Sequence, residues 1–573
     1  MDPQQRIDEL EQAFGPLGDP DNPLGERALL AADHRGEVLT EGEKTLDAAG
    51  FNAESVPGAL GGRLTRMDVL GRMLRPVFRR DASLGFGYGL NCFFAATPVW
   101  TAGSAAQRRT VARLLLDGER VAVARHEVTH GNAFVRDEFT ARAVDGGFVL
   151  QGSKTVIANG ARAAGLVVFA GTGSPGTPAG RCHSVFLLDR SELPADRLVG
   201  LGRDPTSGLR STEFSGLEAL DCPVPGDALV GAVGDGYEIS LRSSLLIRGL
   251  IPSIVLAGAD TALRTVARFA VRRREDGRSS LDVRHVRDVL TGAFLDLLIS
   301  DCLALVATRA VHLLPRHASA YAAAGAYLAP KMIAESMDAL SSVLGKAQFT
   351  DSSASAMFRK QLRDLPVTSL GHAGSAGRQI SVLPQLPVFA RNSWFAGPEP
   401  PGALFSLDGD LPPLDPAALA LLGDSDPLAA TLVFCTARQG SAFSSATRSL
   451  VEALTGELEE LRNFYREVSP DDRRTLSGPH SLGLTDRYAM VLSAAAVIGV
   501  WQQARAQGPS HGPTGSFLSD PAWLDAALYR LAGRLGLTRP GQQTASEQRV
   551  LAELLARLHG GRAYDLYGMQ LAE

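Results

Sequence analysis

Apolar residues in the first part of the chain recur three and four apart. Within 67–78, Val69, Leu70, Met73, Leu74 and Val77 share one stripe, which predicts an amphipathic helix. A second helix is predicted over 107–116, stopping near Gly118. The texture changes at Val121. Short β-rich runs separated by Gly and Pro follow, at 121–128, 138–144, 147–158, 165–171 and 184–189. Asp145-Gly146-Gly147 marks a hairpin between two of them, and 171–180 reads as a loop. Strands at this spacing, without helical crossovers, predict a small antiparallel barrel or sandwich.

Helical texture returns at Tyr237. Leu263, Val266 and Ala270 share a face, and further helices are predicted over 287–315 and 329–349. The Pro- and Asp-rich stretch 398–416 reads as a linker. Helices resume beyond it, at 451–465 and 489–504. The fold class is therefore α+β, in five segments. Residues 1–120 form an N-terminal helical domain, 121–235 the β-domain and 236–395 a long-helix bundle. Residues 396–416 form the linker and 417–573 an additional helical domain.

Composition narrows the function classes more than it selects one. A chain of 573 residues is too long for one core. The net charge of −5 argues against a nucleic-acid partner, which calls for a dense basic face. Five scattered cysteines without a CxxC pair argue against a disulfide framework or a zinc site and fit a reducing cytoplasm. Cys92 reads as a buried thiol. The polar N-terminus is no signal peptide. The apolar stretch 489–501 falls short of the roughly 20 residues that cross a bilayer. No P-loop motif occurs.

Several short motifs then stand in an order that is informative as a set. They are Val56-Pro57-Gly58-Ala59-Leu60-Gly61-Gly62, Arg80-Asp81-Ala82-Ser83, His126 through Asn132, Gly152 through Gly160, Gly208-Leu209-Arg210-Ser211-Thr212, Val224-Pro225 and Gly234-Asp235-Gly236-Tyr237. Together they resemble the acyl-CoA dehydrogenase/oxidase superfamily over about residues 25–380. The linker and last domain resemble the extra domain of its longer, oxidase-like members. The resemblance implies bound FAD. It places His126, Val128, Thr129, Gly131 and Asn132 at the pyrimidine edge of the flavin, and Val156, Ile157 and Ala158 against the ring. Arg273 would lie on the pyrophosphate, from a second subunit in a homodimer or homotetramer. Gly345 and Gly374 complete the implied cofactor set. The implied reaction is α,β-desaturation of an acyl-CoA or acyl-carrier-protein thioester.

The sequence also departs from that pattern. The family base is a Glu following an Arg-Asp pair. Here Arg363-Asp364 is present, but the Glu position falls at or near His372, and no Glu lies between Arg363 and Val388. An alternative Glu would precede Arg248, where Ile247 stands. Ala158 replaces a Thr, and Val156 a Trp. His372 is then either a substitute base, since a neutral imidazole accepts a proton, or a loop histidine among Gly, Ala and Ser. His130 is either a turn residue or a contact to flavin or substrate. The arginines at 272–274 either bind phosphate or end a solvated helix. Two functions follow from the resemblance: a specialised FAD-dependent dehydrogenase or oxidase, or a non-redox flavoprotein that deprotonates the α-carbon and closes a ring. A nucleic-acid-binding relative of the same fold is disfavoured by the charge.

Overall fold

The texture change at Val121 is the start of one eight-stranded sheet. The computed structural model describes residues 2–573 apart from 131–135, 174–176, 276, 351, 371–373, 440–441, 469–477 and 542–543. The strands are β1 (Val121–Ala124), β2 (Thr140–Val144), β3 (Gly147–Ala158), β4 (Gly165–Gly171), β5 (His183–Asp189), β6 (Leu198–Arg203), β7 (Phe214–Pro225) and β8 (Leu229–Val230). Their order is β6-β7-β3-β2-β4-β5-β8, with β1 added beside β4. The sheet is mixed rather than purely antiparallel. β1 runs parallel to β4 in the register Val121↔Gly165, and Thr140 of β2 meets Gly171 of β4 in the same sense. No local pattern announces that pairing, because β1 and β4 are 40 residues apart.

Why β4 and β5 read as unbroken apolar runs is now plain: both of their faces are covered. Leu166, Val168 and Phe186 join Phe139, Phe148, Leu150 and Leu217 on one side. Val167, Phe169, Val185 and Leu187 meet Val99, Trp100, Val111 and Leu115 on the other, from helices Asn91–Ala102 and Ala105–Leu116. β6 and β7 escape period-2 reading because Gly, Pro and acidic residues interrupt them.

Contacts divide the chain into two units. One holds residues 1–247 with 414–419; the other holds 248–370, 374–413 and 420–573. The second unit is helical. Its elements include Arg284–Leu313, Ala318–Leu344, Ser353–Leu370, Gly374–Val382, Ser445–Glu467, Pro479–Gln507, Pro521–Arg534 and Thr544–His559, while Gly236–Arg272 begins in the first unit. The helix expected from residue 329 starts eleven residues earlier, at Ala318, and carries Pro330 in its interior. The alanine-rich run before that proline favours helix strongly enough to absorb it.

Part of the Pro-rich stretch read as a linker is packed. Leu404 and Phe405 are buried, and Arg309 donates Nε to the Ala403 carbonyl (2.6 Å) and Nη2 to that of Asp408 (3.1 Å). Three helices, Gly236–Arg272, Arg284–Leu313 and Pro479–Gln507, are long and apolar enough to cross a membrane by length and composition. This corrects the sequence estimate, which measured only the uninterrupted apolar run. Their apolar windows are 89%, 94% and 78% buried within the protein.

Candidate active site

The loop after β1 is held from beneath by a lysine. Lys154 points inward from β3 and is fully buried. Its Nζ donates to Asp137 Oδ2 (2.6 Å) and to the Arg125 carbonyl (3.0 Å), with Glu127 Oε1 at 3.8 Å. Glu127 accepts the backbone N–H groups of Glu138 (2.9 Å) and Phe139 (2.7 Å), closing the loop onto the start of β2. Arg125 turns to the other side. Its guanidinium stacks 5.0 Å from the centre of the Phe169 ring and donates to the Ser240 carbonyl at 2.9 Å. Four polar side chains, Arg125, Glu127, Asp137 and Lys154, thus fix the start of this loop to the sheet.

His126 sits inside this cluster. Burial, reinforced by the charges of Arg125 and Lys154, pushes its pKa down to about 3, so it is a neutral imidazole at ordinary pH. His183 is shifted down for the same leading reason. Val128 and Thr129 lie in a short 3-10 turn that packs on β3, and Val128 is 64% exposed. His130 ends that turn, with Nε2 3.4 Å from Glu138 and 3.7 Å from Glu127. Gly131 and Asn132 lie outside the described residues.

A bulge in β3 shapes the neighbouring edge. Lys154 pairs with Leu217 and Ile157 with Ser215, so Thr155 and Val156 together oppose Gly216 alone. Only glycine fits there: a Cβ on Gly216 would lie 2.8 Å from the Lys154 carbonyl and 2.9 Å from Thr155 Cα. The bulge pushes Thr155 and Val156 outward, Val156 being 36% exposed, while Ile157 and Ala158 turn in. Asn91 Nδ2 caps the Ala158 carbonyl (3.2 Å), and Asn159, at φ 61°, donates Nδ2 to the Gly87 carbonyl (2.5 Å). Ser211, in the turn leading to β7, is 3% exposed, and its Oγ has no hydrogen-bond partner among the described residues. An exposed bulge, a neutral imidazole and a buried hydroxyl are each able to meet an uncharged, hydrogen-bonding heterocycle such as isoalloxazine. The sequence pattern led to the residues but missed the Lys154 cluster; the signal for it was a lysine inside the strand-forming run Gly147–Ala158.

Arg273, Gly345 and Gly374 belong to the second unit. Arg273 follows the Gly236–Arg272 helix and stacks over Phe269 at 5.3 Å. Gly345 ends the Ala318–Leu344 helix with φ 51°, and Gly374 begins the Gly374–Val382 helix. His372 lies outside the described residues. Asp364 is fully buried and accepts from Lys360 Nζ (2.8 Å) and Arg363 Nε (2.7 Å). Burial would raise its carboxyl, but those two cations outweigh burial and hold it below the usual carboxylate range. Asp364 is therefore an ion-pair partner and not a base. At the other position considered, Arg248 donates Nη1 to Ser381 Oγ (3.0 Å), and the buried Arg378 donates to the Ala326 carbonyl (2.8 Å).

No protein-family model matches the chain. It is 28% identical over 235 residues to human mitochondrial short-chain specific acyl-CoA dehydrogenase, covering 41% of this chain and 56% of that protein. The chain thus spans about half the length of the curated relatives it matches. Among solved structures, PigA with FAD and proline superposes with a TM-score of 0.59 at 18% identity, over 67% of this chain and 97% of that one. The prolyl acyl carrier protein oxidase AnaB superposes with a TM-score of 0.58, also at 18% identity, over 66% and 97%. The fold is shared with both.

Proposed function

We propose that this chain, a member of the acyl-CoA dehydrogenase superfamily, binds FAD and oxidises an acyl thioester across its α,β bond. The observation that carries the reading is the β3 bulge at Thr155 and Val156, held beside the loop that Lys154 anchors. In this reading, backbone groups of 126–129 and of the bulge receive the edge of the ring, and Ser211 Oγ supplies one further hydrogen bond. Bound FAD supplies the hydride-accepting chemistry. Neutral His126 offers a hydrogen bond without a charge, so the site gains no cation from it. The Lys154 ion pairs set the loop before substrate arrives, which lowers the entropy cost of orientation. His372 is the proposed acceptor of the α-proton, through an imidazole nitrogen. Arg273 is the proposed pyrophosphate ligand, contributed by a second copy. A carrier-protein thioester is the proposed substrate form, supported by the likeness to AnaB. Cytoplasmic location, a specialised pathway and core packing of the long apolar helices belong to the same proposal.

The test is optical. Purified chain should show a flavin band at about 450 nm, and anaerobic butyryl-CoA or prolyl-carrier protein should bleach it. A colourless protein that takes up no added FAD sinks the reading. The alternative is non-redox α-deprotonation and ring closure, which needs a base equally, and Asp364, paired with Lys360 and Arg363, does not separate the two readings. Product formation with an unchanged band would select it.

A further inference from the structure

The additional helices enclose a cavity of about 560 Å³ against Arg284–Leu313, unconnected with any residue assigned above. Four of its lining residues are arginines: Arg284, Arg530, Arg534 and Arg539. The arrangement is built rather than incidental. Asp296 is fully buried at its base and accepts Arg530 Nε at 2.6 Å and Arg534 Nη2 at 2.7 Å, while Arg534 also reaches Glu335. Those bonds fix two guanidinium planes. Two glycines make room for the guanidinium groups: a Cβ on Gly292 would lie 2.7 Å from Arg530 Nη1, and one on Gly533 would lie 2.5 Å from Arg539 Nη1. Arg539 stacks 4.4 Å over the Tyr529 ring, and no carboxylate pairs with it among the described residues. Among the described residues Arg284 reaches Asp288, at 3.5 Å on an exposed surface.

Pinned guanidinium forks in a concave site match the geometry of phosphate oxygens better than that of any neutral group. The volume lies within the range of small-molecule sites and suits a nucleotide-sized molecule. We infer that this cavity binds a phosphate-bearing small molecule of nucleotide size, its phosphate held by Arg539 and the outer edges of Arg530 and Arg284.

Isothermal titration calorimetry on the full chain at low salt tests this, with inorganic pyrophosphate and adenosine 5′-diphosphate as probes. Saturable one-to-one binding of either probe is expected, weakened at least about ten-fold by Arg539→Glu and by Arg284→Ala, while Arg448→Ala, elsewhere in the same unit, leaves it unchanged. Equal affinity for the two probes would mean that phosphate alone is recognised; tighter diphosphate binding would mean that the organic part is recognised too. Arg539 and Arg284 are exposed, so both variants should keep the native circular dichroism. Absence of binding by both probes, or binding that ignores both substitutions in folded protein, overturns the inference.

Discussion

Lys154 Nζ lies 2.6 Å from Asp137 Oδ2, and neither side chain touches solvent. Burial pushes the lysine down and the aspartate up, and each of the two opposes that shift in the other. The same ammonium holds the Arg125 carbonyl, so one ion pair positions the loop proposed to meet the cofactor.

Lys154→Met should therefore cost about 3–5 kcal/mol, because it strands a buried carboxylate. Chemical denaturation measures it. Adding Asp137→Leu should recover most of the loss, since removing both charges also removes their desolvation penalty. A double variant no more stable than the single one would contradict this account.

His126 makes stability depend on pH. The unfolded chain takes up its proton near pH 6.5, and the folded chain does so only near 3. Stability contributed above pH 6.5 is thus lost as pH falls through that window, at up to about 1.4 kcal/mol per pH unit. His126→Gln should flatten the melting-temperature profile between those limits without abolishing the slope, because His183 is shifted in the same direction.

Gly216→Ala should disturb the bulge, since the added methyl meets main chain on β3 and the Leu201 side chain at 2.8–2.9 Å. The expected cost is about 1–3 kcal/mol, with a lower ratio of flavin to protein absorbance after purification. Unchanged flavin content in a destabilised variant would detach the bulge from the cofactor.

Asp364→Asn should lower stability by several kcal/mol, roughly the 3–5 expected for breaking a buried pair. Turnover per bound flavin in the folded fraction should stay within about two-fold of the native value, since Asp364 is assigned no part in proton transfer. A hundred-fold fall in kcat would instead identify it as the base.

Asp426 holds three buried donors: Tyr488 OH (2.8 Å), Trp394 Nε1 (2.9 Å) and Tyr321 OH (3.1 Å). Asp426→Leu should leave them unsatisfied at about 1–3 kcal/mol each, a loss large enough to prevent folding at 37 °C. Soluble yield and thermal melting would show it.

Periodicity alone located the helices at 67–80, 105–116 and 284–313 to within a few residues, and five of the eight sheet strands. Those elements bury one clear stripe, or both faces of a short run, and that is a local property of the chain. Motif order pointed to the superfamily, because the turns at Gly208–Thr212 and Gly152–Gly160 need particular residues at particular spacings. What stayed illegible was pairwise. The parallel partner of β1 lies 40 residues away, and the role of Lys154 depends on Asp137, which no period connects to it. The arginine cavity joins Arg284, at the start of one helix, to Arg539, in the loop after another, and no sequence pattern connects the two. The sequence by itself determined which segments are helix or strand, since backbone preference and apolar spacing act over a few residues. Only the tertiary structure decided which charges are buried together, because that depends on which distant elements close on one another, and burial sets both their pairing and their protonation.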